Sequence, residues 1–188
     1  MAIDSSGFGN DGAAYNVTGT GSGYVFNGTS SRVVVPDAAS LDPGSADFSF
    51  GVTITMTTPP PQGDTYDVLR KGLAGTKGGD YKLEITHVSG TARARCLVRD
   101  ANKVVAAIVA PTNLSDGRSH VVVCSKTSRG VTVTIDALAP RTKSVTSLGS
   151  VSNASQLALG AKAESSASTG FDWFKGRIDD AWLRVDGS

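Results

Sequence analysis

The sequence predicts an all-β fold in which two antiparallel sheets pack as a jelly-roll sandwich. Many segments carry apolar residues at every second position, the pattern of a strand with one buried and one solvated face. About a dozen such segments are separated by turn residues at even spacing, as in β-sandwiches. No segment has a convincing helical pattern and no linker interrupts the chain, so residues 1–188 are predicted to form one domain.

The stretch 114–136 is the clearest part of this pattern and predicts a long β-hairpin. Residues 118–126 form a Val-rich strand, a turn follows at 128–130, and residues 131–136 alternate strictly between apolar and polar side chains. We place this hairpin in the middle of the sandwich.

The same alternation predicts the remaining strands in order. Residues 2–23 are predicted to be a Gly-rich polar loop, and the strongest strand, Phe48–Met56, is ended by three prolines, which cannot donate to a ladder. Other strands are predicted at Tyr24–Phe26, Arg32–Val35, Tyr66–Lys71, Tyr81–His87, Thr91–Arg99, Lys103–Val109, Arg141–Leu148, Gln156–Gly160 and Trp173–Val185.

Composition and motifs argue against several classes of protein. The net charge is +1, so no overall field attracts the chain to nucleic acid or to an anionic membrane. No apolar run approaches the length of about 18 residues that a transmembrane helix needs, and no signal peptide is visible at the start. The Gly-rich loop 72–79 lacks the Lys-Ser/Thr ending of a phosphate-binding loop.

Cys96 and Cys124 each lie inside a predicted strand. Two thiols without a CxxC spacing do not form a structural zinc site of the usual kind. We predict either one disulfide between neighbouring strands of a sheet or two buried free thiols. The extracellular character of the composition favours the disulfide.

The order of several short segments indicates a family. DSSGFGNDG at the start is followed by LRKG and DYKLEI, then by LSDGRSHVVV and VTVTID, and finally by FKGRIDDAWL. In this succession the chain resembles the laminin-G-like, concanavalin-A-like jelly rolls of bacterial secreted and surface proteins, and RARCLVRD and HVVVCSKTS resemble an actinobacterial branch. The chain departs from the family at Ser119, where a Trp often precedes the His, and at Ala137, where a Gly usually follows the Asp.

The resemblance implies a function as well as a fold. Members of the family are carbohydrate- or protein-binding modules, often beside a catalytic domain, and related jelly rolls are hydrolases and lyases. We therefore predict a non-catalytic module of a secreted or cell-surface protein that binds a glycan or an extracellular protein. The alternatives are a polysaccharide-active enzyme, with a lyase ahead of a hydrolase, and a structural adhesion or phage-appendage domain.

The sequence predicts no catalytic residues. A common glycosidase needs two carboxylates that flank the scissile bond, but the two glutamates, Glu84 and Glu164, are far apart in sequence. Asp179 and Asp180 are adjacent on a predicted strand and therefore face opposite ways. The chain also lacks a recognisable lyase strand and a GxSxG elbow.

The resemblance further implies a structural calcium ion. In related jelly rolls the Asp of the closing GxID strand binds Ca²⁺ together with groups of the N-terminal loop. Here these residues are Asp179 and, in the loop, Asp4, Asn10 and Asp11, and their oxygens are of the type that Ca²⁺ prefers. The alternative is a plain polar turn, with Asp179 accepting hydrogen bonds from loop amides.

Aromatic side chains are the first candidates for sugar binding, because an exposed ring beside polar groups can stack on a sugar. Trp173 follows a small polar loop and is the leading candidate, and Tyr66 and Tyr81, which flank the Gly-rich loop, come second. The alternative for each ring is that it caps the core, and we assign Trp182 to the core.

Arg93 and Arg95 share one face of a predicted strand with Arg99. A row of guanidinium groups attracts carboxylate or sulfate groups, so an acidic polysaccharide is a conceivable ligand. The alternative is a solvated face whose arginines pair with acidic residues on neighbouring strands, for instance Glu84.

Overall fold

Two seven-stranded antiparallel sheets make up the fold, which confirms the predicted class. The computed structural model describes residues 1–162 and 172–186. Sheet I contains, in spatial order, β1 (Ala13–Tyr15), β4 (Arg32–Val35), β13 (Leu157–Leu159), β6 (Thr65–Lys71), β7 (Asp80–Val88), β8 (Thr91–Arg99) and β9 (Val105–Val109). Sheet II contains β12 (Arg141–Ser144), β11 (Gly130–Ile135), β10 (Ser119–Thr127), β5 (Phe48–Thr55), β14 (Lys175–Val185), β3 (Tyr24–Asn27) and β2 (Thr18–Gly19).

Within the described residues, helical structure is confined to a 3-10 turn at Ala39–Leu41. The described residues include no helix with the length and apolar character needed to cross a membrane.

Strand β5 organises sheet II because its alternation buries one complete face. Phe48, Phe50, Val52 and Ile54 are at most 2% exposed, while Ser49, Thr53 and Thr55 face outward. β5 pairs with β10 on one side and with β14 on the other, so it takes the central position of the sheet. The prediction that the hairpin β10–β11 forms the middle is therefore wrong, because β11 is followed only by the edge strand β12.

The largest other differences from the predicted strands lie near the ends of the chain. Residues 2–23 include β1 and β2, two short and mostly exposed strands that lack the apolar alternation by which a strand is detected. The last strand begins at Lys175, because Trp173 instead forms a separate parallel bridge with Asp67. β12 ends at Ser144, before the predicted Leu148.

Cys96 and Cys124 form a disulfide, with their Cα atoms 5.6 Å apart. Of the arrangements that the sequence left open, a bridge between neighbouring strands is wrong, because Cys96 lies on β8 of sheet I and Cys124 on β10 of sheet II. Both residues are fully buried, so the bond passes through the core and joins the two layers.

Trp182 lies on the outer face of sheet II, so its assignment to the core is wrong. Its neighbours Ala181 and Leu183 pack against the core, which directs Trp182 to the other face of β14. The indole covers Gly51 of β5, where a Cβ atom would come within 2.7 Å of the ring atom Cζ2.

Two carboxylates bracket His120 at the open end of the β10–β11 hairpin. Nδ1 of His120 lies 2.9 Å from Oδ2 of Asp136, and Nε2 lies 3.0 Å from Oδ1 of Asp116. Burial lowers the pKa of His120, but hydrogen bonds and the charges of the two carboxylates outweigh it, so the pKa is raised above 6.5.

The free energy of unfolding is therefore expected to depend on the protonation of His120. Because the folded pKa is raised, this stabilisation is fully present below the unfolded value of 6.5 and is lost as the pH rises through the folded pKa. Denaturant unfolding between about pH 5 and 9 should show this loss in the wild type and in His87→Gln, but not in His120→Gln. A wild-type pH profile in His120→Gln would contradict the assignment.

Candidate functional site

The N-terminal loop, predicted to contribute to a calcium site, is closed by its own hydrogen bonds. Asp4 accepts from the amide of Ser6 at 2.9 Å, the hydroxyl of Ser6 at 2.7 Å and the amide of Asn10 at 2.9 Å. Asp11 accepts from the amide of Asp4 at 2.8 Å. These hydrogen bonds, chiefly the one from the Ser6 amide, lower the pKa of Asp4. The carboxylate of Asp4 therefore links Ser6 and Asn10 within the loop.

Asp179 lies elsewhere, at the irregularity of β14. It accepts a hydrogen bond from Ser22 at 3.0 Å and pairs with Arg177. No hydrogen bond or ion pair within residues 1–162 and 172–186 joins Asp179 to Asp4, Asn10 or Asp11, and these ranges contain no cluster of three acidic, His or Cys side chains suited to a metal. The donors do not converge as a calcium site requires. The calcium ion remains a prediction, and we assign it no role in the function.

The two tyrosines predicted to stack on a sugar are core residues, so that prediction is wrong for both. Tyr81 has no exposed surface, donates to the carbonyl of Leu41 at 3.0 Å and packs against the rings of Phe48 and Phe50. Its burial strongly raises the pKa of the Tyr81 hydroxyl. Tyr66 is 8% exposed and meets Phe174 edge to face. Neither ring offers a free face to a ligand.

Trp173 and the arginines of β8 lie on sheet I, some distance apart. Trp173 is half-buried and bridges to Asp67, Asp67 faces Glu84 on β7, and Glu84 faces Arg95 on β8. Three strand spacings, about 14 Å, therefore separate the backbones of Trp173 and Arg95. Their roles in ligand binding remain predictions.

The outer face of sheet I carries an ion-pair network. Glu84 pairs with both Lys82 and Arg95, Asp67 pairs with Arg70, and Asp80 lies 3.3 Å from Arg99. This is the pairing proposed as the alternative for the arginine row. An anionic ligand would have to compete with Glu84 for Arg95, whereas Arg93 donates to the hydroxyl of Thr91 at 3.3 Å.

A cavity of about 550 Å³ opens at one end of sheet I, and we call it the rim pocket. The loops that form it follow β4, β6 and β8 and precede β13, so antiparallel pairing gathers them at the same end of the sheet. The pocket is lined by Asp37, Asp42, Lys77, Gly78, Ala101, Ser152, Asn153 and Ala154.

A buried lysine holds the wall of the rim pocket together. The ammonium of Lys71 lies 2.7 Å from Oδ1 of Asp37 and 2.9 Å from Oδ1 of Asp42, and it also donates to the carbonyl of Asn153. The side chain of Lys71 has no exposed surface. Three oxygens thus surround the ammonium of Lys71. Because Lys71 belongs to β6, these contacts fix both carboxylates relative to the sheet.

Backbone contacts bring the loops close together at the same place. The amide of Asn153 donates to Asp42 at 3.1 Å, and its side chain donates to the carbonyl of Gly79 at 3.0 Å. Gly78 has a φ of +93°, and a Cβ atom there would collide with the carbonyl of Ser152. Only a glycine satisfies both conditions, which explains the residue type at position 78.

None of the residues that line this pocket was predicted from the sequence to bind a ligand. The available signal was a lysine at the end of a buried strand, because a charged side chain in such a position requires oppositely charged partners. An irregularity between Asp67 and Leu69 breaks the alternation of β6, so the inward direction of Lys71 could not be read from its spacing.

The two stacked antiparallel sheets define the jelly-roll class of sandwich, and the sequence assigns the chain to a family within it. Residues 27–184 match the Laminin_G_3 family model, so the chain belongs to the concanavalin A-like lectin/glucanases superfamily. No curated protein matches the chain.

Several solved structures share the fold. The receptor-binding domain of botulinum neurotoxin mosaic serotype C/D matches with a TM-score of 0.69 and 12% identity, over 96% of this chain and 44% of that chain. A structure of botulinum neurotoxin type C, whose cell entry depends on two ganglioside molecules, has a TM-score of 0.65 and 9% identity over 96% and 44% of the two chains. Domains LG4-5 of mouse laminin α1 have a TM-score of 0.63 and 16% identity over 89% and 42%. The chain spans less than half the length of these structures.

Proposed function

We propose that this chain is an extracellular binding module that recognises a glycan, and that the glycan binds in the rim pocket. The observation that carries the proposal is the pair of carboxylates, Asp37 and Asp42, fixed at the pocket wall by the buried ammonium of Lys71. Lys71 engages Oδ1 of each carboxylate, and within the described residues Oδ2 of each accepts no hydrogen bond.

Fixed carboxylate oxygens suit the hydroxyl groups of a sugar. A hydrogen bond from a hydroxyl to a charged acceptor is roughly twice as strong as one between neutral groups. Because Lys71 already holds both side chains, little rotamer freedom is lost on binding. Lys77 adds an exposed donor and balances the remaining negative charge, so a neutral or weakly charged glycan fits the pocket best.

The similar structures and the disulfide support this proposal. Cell entry of botulinum neurotoxin type C depends on interaction with gangliosides, whose head groups are glycans. A disulfide in the core favours an oxidising compartment, as expected for a secreted or surface protein.

An enzymatic function would need accessible acid and base groups, and the carboxylate pair on sheet I does not offer them. Asp67 and Glu84 face each other on β6 and β7, a pairing that their distance in sequence had hidden. They are only 0% and 1% exposed, and both are ion-paired. A substrate could not reach them without displacing Arg70 and Lys82.

A glycan array tests the proposed function. We expect the wild type to bind at least one neutral glycan equally with and without a chelator, since Lys71 supplies the cation of the pocket. Asp37→Asn and Asp42→Asn should each weaken binding by about tenfold, the effect of removing one charge-assisted hydrogen bond. Asp64→Asn, an exposed residue outside the pocket, is the matched control and should bind as the wild type does.

Two outcomes would overturn the proposal. One is a wild-type protein that binds no glycan on the array. The other is a pair of pocket variants that retain full affinity for the glycan bound by the wild type.

A further inference from the structure

The outer face of sheet II presents an indole ring on a polar surface. Trp182 of β14 lies opposite Gly51 of β5, and Gly51 lies opposite Val123 of β10. A Cβ atom at Gly51 would come within 2.8 Å of the indole atoms Cζ2 and Cε2, so the missing side chain leaves the space that the ring occupies. The ring therefore lies across the strands and is only half-buried.

Hydroxyl side chains and valines neighbour this indole. The outward positions on β5, β10 and β11 beside Gly51 and Val123 carry part-exposed hydroxyl groups at Ser49, Thr53, Ser125, Thr132 and Thr134 and an exposed apolar side chain at Val121. Only Thr132 uses its hydroxyl within the described part of the chain, in a 2.9 Å contact with Thr142. The other hydroxyl groups can donate to and accept from a ligand.

One acidic and one basic side chain complete the surface. Asp180 and Arg184 lie two positions before and after Trp182, so they share its face of β14. Both are exposed, and neither forms an ion pair with any residue in 1–162 or 172–186. The surface thus offers a carboxylate acceptor and a guanidinium donor on either side of a ring, with no excess of charge.

We propose that this face binds a neutral glycan chain, with the apolar face of one sugar ring stacked on the indole of Trp182. The hydroxyl groups of Thr53 and Ser49, together with Asp180 and Arg184, complement the hydroxyl groups at the edge of such a ring. A protein partner is disfavoured because the buried centre of protein interfaces is depleted in Ser and Asp, whereas here they adjoin the aromatic residue.

This surface is separate from the rim pocket. The pocket is formed by loops at the end of sheet I, whereas Trp182 lies on the outer face of the other layer. Two sites on one small domain allow a long polysaccharide to be held at two points, which raises the overall affinity above that of either site. The inference therefore goes beyond the proposed function, and either site can fail while the other binds.

Tryptophan fluorescence reports directly on this surface. The chain has two tryptophans, so Trp173→Phe leaves Trp182 as the one indole. We expect its emission to change saturably on titration with at least one member of a panel of soluble cellulose, xylan, mannan and starch oligosaccharides. The Asp37→Asn substitution in the rim pocket should leave this change intact, which separates the two sites.

Calorimetry with the same panel gives the affinities. Trp182→Ala should bind about tenfold more weakly than the wild type, Trp182→Tyr should retain most of the affinity because it keeps a ring, and Arg93→Ala on sheet I should bind normally. The inference is overturned if the emission of Trp182 responds to no neutral oligosaccharide, or if Trp182→Ala, added to Asp37→Asn, keeps the full affinity of Asp37→Asn alone. Binding of sulfated or uronate-containing chains alone would also overturn it.

Discussion

Replacement of Lys71 by methionine is expected to lower the free energy of unfolding by about 3 kcal/mol. Removing one partner of a buried ion pair typically costs about 3–5 kcal/mol, because the remaining charges lose their compensation. Here Asp37 and Asp42 would face each other without the ammonium, and the carbonyl of Asn153 would lose its donor. The lower end of the range applies because the side chain of Asp37 is 37% exposed and can be solvated.

Chemical denaturation of Lys71→Met and two further variants checks this result. Lys77→Met removes an exposed lysine from the same pocket and should change the stability by no more than about 0.5 kcal/mol. Adding Asp37→Asn and Asp42→Asn to Lys71→Met should recover part of the loss, since the repulsion between the carboxylates is removed. Equal stability of Lys71→Met and Lys77→Met would contradict the role assigned to Lys71.

Loss of the disulfide between Cys96 and Cys124 is expected to cost about 3–4 kcal/mol. The two residues are 28 positions apart, and a closed loop of that length restricts the unfolded chain by about this amount. The bond also joins the two sheets through the core, so its loss removes a direct link between the layers. Urea unfolding of the oxidised and reduced wild type measures the effect without changing the packing of any other side chain.

Cys96→Ala/Cys124→Ala provides the second measurement for the disulfide. This variant should be less stable than the reduced wild type, because both positions are fully buried and the substitution also leaves a cavity. If the reduced and oxidised proteins unfold at the same urea concentration, the disulfide does not stabilise the fold as described.

The alternation of apolar and polar residues along the sequence predicted most of the strands. The strands β5, β8, β10 and β11 were found because each buries one complete face, and such a face leaves a period-two signal in the sequence. β1 and β2 are short edge strands with little buried surface, so they leave no such signal. The packing of one sheet on the other was not predicted either. The disulfide depends on that packing, because it joins β8 of sheet I to β10 of sheet II.

The candidate sites were harder to predict, because they depend on contacts between distant segments. Tyr81 was considered a ligand residue from its place beside a Gly-rich loop, but its ring packs in the core between Phe48 and Phe50. Trp182 was assigned to the core, but the glycine opposite it on β5 provides space for the indole on the outer face. Lys71 reaches Asp37, Asp42 and Asn153 across separations of 34, 29 and 82 residues, which no local pattern reveals.

The most direct test of the account is a map of backbone amide shifts by nuclear magnetic resonance, recorded while the tightest-binding glycan of the array is added. We predict that the largest shifts fall on the rim pocket, at residues 37–42, 77–78 and 152–154, and that Asp37→Asn needs about tenfold more glycan to reach them. Shifts confined to the N-terminal loop 4–11 or to the arginines of β8, with the rim pocket unperturbed, would contradict the proposed site.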